Sequence, residues 1–221
     1  MSAPEQLSAW NRALRGQPAD AIVRWAIGHS GGRAVVSTNF RPYEAVLLHL
    51  ATRAQPDIPV LWVDHGYNRP ATYRHAEQLR TRLGLNLKPY LPRVSAAHRD
   101  ALHGPVPGPD DEARLRDFSA VMKLEPFRRG LRELVPGVWL TSLRRSQSAE
   151  RAALDVAAWD HNFGVLKVSP LLDWSDAALE DYLRAHDLPN EFDYHDPAKA
   201  DAKRECGLHA AWSRAVAEAA S

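Results

Sequence analysis

The sequence predicts an α/β fold: a doubly wound, mostly parallel sheet with helices on both faces. Three observations lead to it. Strand-like and helix-like segments alternate between residues 19 and 91, the order that a parallel sheet with crossover helices requires. Ile58 to Val63 reads IPVLWV, a continuous apolar run of the kind found in strands buried on both faces. The chain has 221 residues, 45% of them apolar and 25% charged, with no internal repeat or low-complexity stretch. A chain of that size buries about 70% of the surface its unfolded form exposes, enough for one large core.

Taken in order, Ala19 to His29 forms an amphipathic helix with Ile22, Trp25 and Ala26 inward, broken by Ser30-Gly31-Gly32. Ala34 to Ser37 is a short strand. Glu44 to Arg53 is a helix with Val46, Leu47 and Leu50 on one face, and Pro56-Asp57 turns the chain into the IPVLWV strand. Thr72 to Leu83 is a helix ended by Gly84 as its C-cap, and Leu85 to Leu91 is a third strand. The crossovers are expected to be right-handed. Gly104 to Pro109 is a loop. Ala113 to Leu134 is helical, but Pro126 implies a break or a new helix start. Val138 to Ser142 and Val165 to Val168 are strands. Ser175 is a good N-cap for Asp176 to His186, with acidic residues in the first turn. From Pro189 to Cys206 the chain is polar and irregular and reads as a mobile tail.

Composition excludes several classes. No apolar run approaches the roughly 20 residues of a membrane span. Residues 1–11 lack a basic region followed by an apolar core, so no secretory signal is expected and the protein reads as cytoplasmic. The net charge of +1 argues against a general nucleic-acid binder. The single cysteine, Cys206, cannot close an internal disulfide or supply the four thiolates of an all-cysteine iron–sulfur cluster. The ten histidines include no HExxH pattern and there is no CxxC, so no metal site is expected.

In a doubly wound sheet, ligands bind beyond the carboxyl ends of the strands near the topological switch point. Three segments fall at such ends. Ser37-Thr38-Asn39-Phe40, with Arg41 following, offers hydroxyls, an amide and backbone N–H groups at a helix start. It reads either as an anion cradle or as ordinary helix capping. Asp64-His65-Gly66-Tyr67 reads as a ligand-facing turn, with Asp64 accepting from a ribose or base and Gly66 allowing close approach, or as a plain polar turn. Leu143-Arg144-Arg145-Ser146-Gln147-Ser148, with Arg151 following, suits phosphate or sulfate, or forms a solvated basic face. Cys206 is flanked by Lys203, Arg204 and His209, cations and a histidine that favour a thiolate, with Gly207 leaving room for approach. The alternative for Cys206 is a small buried hydrophobe.

Together these residues resemble the phosphoadenylyl-sulfate (PAPS) reductases of assimilatory sulfate reduction. The resemblance runs from about Val35 to His209. Ser37-Thr38-Asn39-Phe40 stands where that family has a Ser-rich loop ending in Phe-Gly. IPVLWVDHGYNRPATYRHAEQL is similar to its strand, Asp-Thr-Gly-Tyr turn and Pro-x-Thr-Tyr helix. Lys123-Leu124-Glu125-Pro126 matches Lys-Val-Glu-Pro, and Leu143 to Ser148 with Arg151 matches Leu-Arg-Arg-x-Gln-Ser-x-x-Arg. Lys167-Val168-Ser169-Pro170 with Asp173-Trp174 matches Lys-Val-x-Pro-x-x-Asp-Trp, and Glu205-Cys206-Gly207-Leu208-His209 matches the catalytic tail. Three positions depart: Arg41-Pro42 replaces the loop glycine, His65 replaces a Thr, and Asp193 to Asp196 stands in a shortened stretch before the tail.

The resemblance implies an adenine nucleotide alpha hydrolase-like fold, with a nucleotide-binding domain over residues 1–187 and a flexible tail over 188–221 that carries the catalytic Cys206 and His209. It implies that Ser37, Thr38, Asn39, Phe40, Asp64, Gly66, Lys123, Arg144, Arg145, Lys203 and Arg204 hold the nucleotide and its phosphosulfate. The Cys206 thiolate would take the sulfonate, releasing adenosine 3′,5′-bisphosphate, and thioredoxin or glutaredoxin would free sulfite from the S-sulfocysteine. No bound cofactor is expected. Ala120-Val121-Met122 before Lys123, where cluster-bearing adenylyl-sulfate reductases have a cysteine pair, favours the cluster-free branch. Since relatives are often homodimers, a homodimer is expected from the resemblance alone. Two alternatives stay open: a cluster-free adenylyl-sulfate reductase, and a divergent nucleotide-binding protein without reductase activity.

Overall fold

The computed structural model describes residues 3–108 and 110–197. The strands are β1 (Ala34–Thr38), β2 (Pro59–Val63), β3 (Asn86–Tyr90), β4 (Val138–Leu140), β5 (Ala157–Asp160) and β6 (Val165–Val168). They form one sheet in the order β3-β2-β1-β4-β6-β5. Every pairing is parallel except that of the edge strand β5 with β6. The helices are α1 (Ala3–Leu14), α2 (Ala19–His29), α3 (Glu44–Ala54), α4 (Pro70–Leu83), α5 (Ala96–His103), α6 (Glu112–Ser119), α7 (Glu125–Leu134) and α8 (Asp176–Ala185). The expected doubly wound sheet is therefore present, with its switch point between β1 and β4.

Strand residues alternate between two cores, as the two-residue period of a strand demands. Val36, Val60, Val138, Leu140 and Val168 pack with α2, α3, α4 and α8 on one face. Val35, Leu61, Val63 and Trp139 pack with Phe127 and Leu131 of α7 on the other. Three elements were not anticipated, α1, α5 and β5; α5 is short and is started by Ser95, whose hydroxyl accepts the His98 N–H. Helix α1 docks on the β5 edge, where the Asn11 side chain donates to the Ala157 carbonyl and accepts its N–H, both at 2.8 Å. Strand β5 reads Ala-Ala-Trp-Asp, without a β-branched residue, so local propensity does not mark it.

Boundaries follow local chemistry. Gly84 ends α4 at φ 61° in the left-handed region, as expected of a C-cap glycine. The Ser175 hydroxyl accepts the Ala178 N–H at the start of α8. Pro126 loosens the helix rather than breaking it. Proline cannot donate to the carbonyl four residues back, and a π-helical turn over Ala120–Leu124 leads directly into α7. Among the described residues no helix is long and apolar enough to cross a membrane.

Candidate active site

The carboxyl ends of β1 and β4 face each other across the switch point and line one cavity. Its walls include Ser37, Thr38, Asn39, Arg41, Glu44, Thr141, Ser142 and Arg151, with Tyr194 and Asp196 from the chain beyond α8. Ser37 is held by the Trp139 indole, whose Nε1–H donates to its Oγ at 2.8 Å. The loop from Thr38 to Glu44 is built around the Glu44 carboxylate. It accepts the Thr38 hydroxyl at 2.8 Å, the Asn39 N–H at 2.7 Å, the Ser142 hydroxyl at 2.9 Å and the Arg41 Nε–H at 2.8 Å. A carboxylate suits the first turn of α3, where unpaired N–H groups and the helix dipole favour negative charge.

This loop turns without a glycine. Phe40 (φ 54°) and Tyr43 (φ 71°) take the left-handed conformation instead, a backbone state costing roughly 1 kcal/mol or more per non-glycine residue. Two contacts hold it. The Phe40 ring is fully buried and meets Trp62 edge-on at 5.1 Å. The Tyr43 N–H donates to Asn190 Oδ1 at 2.8 Å.

The turn after β2 is stabilised from within. Asp64 Oδ1 accepts from the Gly66 N–H (3.1 Å), the Asn68 amide (3.0 Å) and the Tyr73 hydroxyl (2.8 Å). Burial and the Asp64 carboxylate push the Tyr73 phenol up to about 12. Gly66 has φ 78°, and a Cβ there would stand 3.1 Å from the Ala96 side chain. The close approach it permits is to α5. His65 is buried, and its Nδ1 accepts the Tyr67 N–H at 3.1 Å. Burial first, and then the Lys123 ammonium, push His65 down to about 4, so the ring is neutral at pH 7.

Lys123 lies in the π-turn with its side chain 2% exposed. Its ammonium donates to both oxygens of Asp196, at 2.7 and 2.6 Å, and Asp196 is itself 5% exposed. Among the described residues no group of three or more His, Cys, Asp or Glu side chains is arranged to hold a metal ion.

The sequence matches a known group of proteins. The family model for the phosphoadenosine phosphosulfate reductase domain matches residues 33–192. A phosphoadenosine 5′-phosphosulfate reductase of Xanthomonas euvesicatoria pv. vesicatoria (strain 85-10) is 39% identical over 94% of each chain. The chain belongs to the phosphoadenosine phosphosulfate (PAPS) reductase family, and it is an enzyme of that family. Among solved structures it resembles phosphoadenylyl-sulfate reductase from Candida auris, with a TM-score of 0.74 at 23% identity over 86% of this chain and 89% of that one. It also resembles NH3-dependent NAD synthetase from Campylobacter jejuni, with a TM-score of 0.54 at 12% identity over 80% and 76%. At these identities the two structures speak to the fold, an adenine nucleotide alpha hydrolase-like sheet.

Within that family fold, the site residues expected from the sequence separate. Ser37, Thr38 and Asn39 line the cavity, and Lys123 adjoins it through Asp196. Phe40 supports the loop from the core, and Asp64 and Gly66 shape the turn after β2. Arg144 is paired with Asp176 and lies over the Tyr43 ring at 5.6 Å. Arg145 turns to Asp173 at 2.6 Å and to the carbonyls of Ala152 and Leu154. The arginine of this motif that lines the cavity is Arg151, which is buried and bonded to Gln147. Cys206, His209, Lys203 and Arg204 lie outside the described residues.

Sequence reasoning did not single out Glu44, Ser142, Tyr194 or Asp196 as parts of the site. Only Glu44 carried a local signal, an acidic residue in the first turn of a predicted helix. The stretch from residue 188 to Asp196 keeps contact with the domain, through buried Leu188, the Asn190 amide bonded to Tyr43, and buried Asp196.

Proposed function

We propose that this PAPS reductase family member reduces 3′-phosphoadenylyl sulfate with thioredoxin or glutaredoxin as external reductant. The observation that carries the proposal is the gathering of Arg41, Arg151 and, through Asp196, Lys123 about a hydroxyl-lined loop at the switch point. The substrate brings a 3′-phosphate and a phosphosulfate to this cleft. The Cys206 thiolate attacks the sulfonate sulfur, forming an S–S bond as the S–O bond to the phosphate breaks. Adenosine 3′,5′-bisphosphate leaves with the bonding pair. Both reacting groups are anionic, so fixed cations must offset their repulsion. A dithiol then attacks the Cys206 sulfur of the S-sulfocysteine, sulfite leaves, and the reductant closes to its disulfide. The sequence has no second cysteine, so both electrons come from outside this chain. The four thiolates of an all-cysteine cluster are likewise not to be found in it. We place the reaction in the cytoplasm and carry over a homodimer as an expectation that light scattering tests.

The deciding measurement is intact mass after incubation with PAPS and no reductant. A gain of one SO3, absent in Cys206→Ser, is expected. An unmodified chain that still binds adenosine 3′,5′-bisphosphate would mark a nucleotide-binding protein without reductase activity. The same gain from adenylyl sulfate at a higher rate would reassign the substrate.

A further inference from the structure

We propose that Asp196 is a resident counter-ion for Lys123, seated where an anionic group of the substrate binds, and that substrate enters by displacing it. The inference rests on the reading of this cleft as the PAPS site. It makes Asp196 a selectivity-determining residue, because only a ligand whose own anion reaches Lys123 gains by removing the carboxylate.

The two partners come from unlike parts of the fold. Lys123 is fixed by the helix framework of α6 and α7, on the inward side of the π-turn, where it and Met122 are buried. Asp196 comes from a stretch beyond α8 that has neither helix nor strand. An unpaired ammonium at this depth is strongly disfavoured, so an anion accompanies it. With no substrate present, the chain supplies that anion itself, using both carboxylate oxygens.

The same stretch also fills the cleft. Tyr194 and Asp196 line the cavity together with Ser37, Thr38, Asn39 and Arg151, and about 60 Å³ of free space remains among them. Sites for small ligands usually offer about 300 Å³ or more. A nucleotide therefore requires residues 194–196 to move. The neighbouring Arg69–Asp193 pair is half exposed on both sides, and pairs exposed to that degree hold a chain only weakly. Asn190, bonded to the Tyr43 N–H, keeps the base of the stretch attached.

Displacement links binding to the tail by simple chain connectivity, since Cys206 follows Asp196 by ten residues. When the substrate anion takes Lys123, residues 194–196 leave the cleft. When product leaves, the carboxylate returns and keeps Lys123 paired. A tethered carboxylate competes as an intramolecular ligand, at an effective concentration on the order of millimolar. Binding of the substrate anion is weakened by the fraction of molecules in the paired state.

The test is calorimetric titration of the full chain with adenosine 3′,5′-bisphosphate and, separately, adenosine. Asp196→Asn leaves Lys123 a neutral partner of the same size. It should bind the bisphosphate about tenfold tighter, as expected if about nine molecules in ten are paired, and adenosine unchanged. Lys123→Met should weaken the bisphosphate. If Lys123→Met is weakened while Asp196→Asn is not tightened, the site stands and this inference falls. If adenosine tightens equally, the stretch acts as a steric plug and the counter-ion role falls. If Lys123→Met binds as the unaltered chain does, the site reading fails and this inference fails with it. A measurement on the unaltered chain guards against a misfolded variant. Hydrogen exchange of amides 193–196 should quicken on adding the bisphosphate, and protection there overturns the proposal.

Discussion

The Glu44 carboxylate and the Thr38 hydroxyl meet at 2.8 Å across the loop that joins β1 to α3. Through this contact the loop is tied to the helix that follows it. The same carboxylate takes the Asn39 N–H and the Ser142 hydroxyl, so β1, α3 and the end of β4 converge on one buried acid. Arg41 completes the set at 2.8 Å. The loop turns on a side-chain network, with no glycine in it.

Glu44→Gln tests that network. The amide keeps the shape but gives up the negative charge and one of its two acceptor oxygens. The buried Thr38 donor and the half-buried donors of Asn39 and Ser142 then compete for one oxygen, and a buried donor left unpaired costs about 1–3 kcal/mol. Urea denaturation should show a loss in that range. Stability unchanged to within 0.5 kcal/mol, the roughly neutral band for surface substitutions, would mean that the network is not holding the loop.

Part of this was legible from the sequence and part was not, for physical reasons. Val60 to Val63 and Gly84 declare their roles locally, by an apolar run and a left-handed C-cap. The loop at Ser37 to Asn39 is found because strand ends at the switch point of such sheets bind ligands. Lys123 and Asp196 are 73 residues apart, and no local pattern joins them. The Leu-Arg-Arg motif likewise does not declare from sequence which of its arginines faces the cavity. Its adjacent arginines pair with Asp176 and Asp173 of a later segment, while Arg151 is the one of the three that lines the cavity. That choice depends on tertiary neighbours that spacing does not encode.

His65 gives the fold a pH dependence. Its folded pKa lies near 4 against 6.5 in the unfolded chain, because burial and Lys123 disfavour the cation. Between those values the unfolded state binds more protons. The stability associated with neutral His65 is therefore fully present above pH 6.5 and is lost as pH falls toward 4. His49 and His75, also lowered chiefly by burial, act in the same direction. His65→Gln, which has no titrating group, should flatten the fall in unfolding free energy between pH 6.5 and pH 4 without abolishing it. A profile as steep as that of the unaltered chain would show that His65 is not the principal group.

On the far side of the sheet, Lys167 and Asp160 form a buried pair at 2.9 Å, with side chains 1% and 2% exposed. Lys167→Met strands the Asp160 carboxylate and should cost about 3–5 kcal/mol. Adding Asp160→Asn removes the stranded charge and keeps an acceptor for the Asn162 and Phe163 N–H groups. The double variant should recover much of the loss in thermal or chemical denaturation. A double variant no more stable than the single one would assign the cost to lost packing on Trp139, whose ring lies 5.3 Å from the Lys167 ammonium.

The arginines of the motif after β4 should divide by task. Arg151 lines the cavity and is buried, so Arg151→Met removes a cation from the place where the substrate's anions must sit. A charge-assisted hydrogen bond contributes about 1.5–3 kcal/mol, which predicts roughly a tenfold to hundredfold weaker affinity for adenosine 3′,5′-bisphosphate. Arg145 clamps Asp173 and the 152–154 carbonyls instead. Arg145→Met should appear first as a lower melting temperature, with a smaller effect on nucleotide affinity. Calorimetric titration beside a thermal melt of each variant separates the two roles. The reverse order, with Arg145→Met losing the nucleotide and Arg151→Met losing only stability, would place the anion on the outer side of the motif and remove Arg151 from the site.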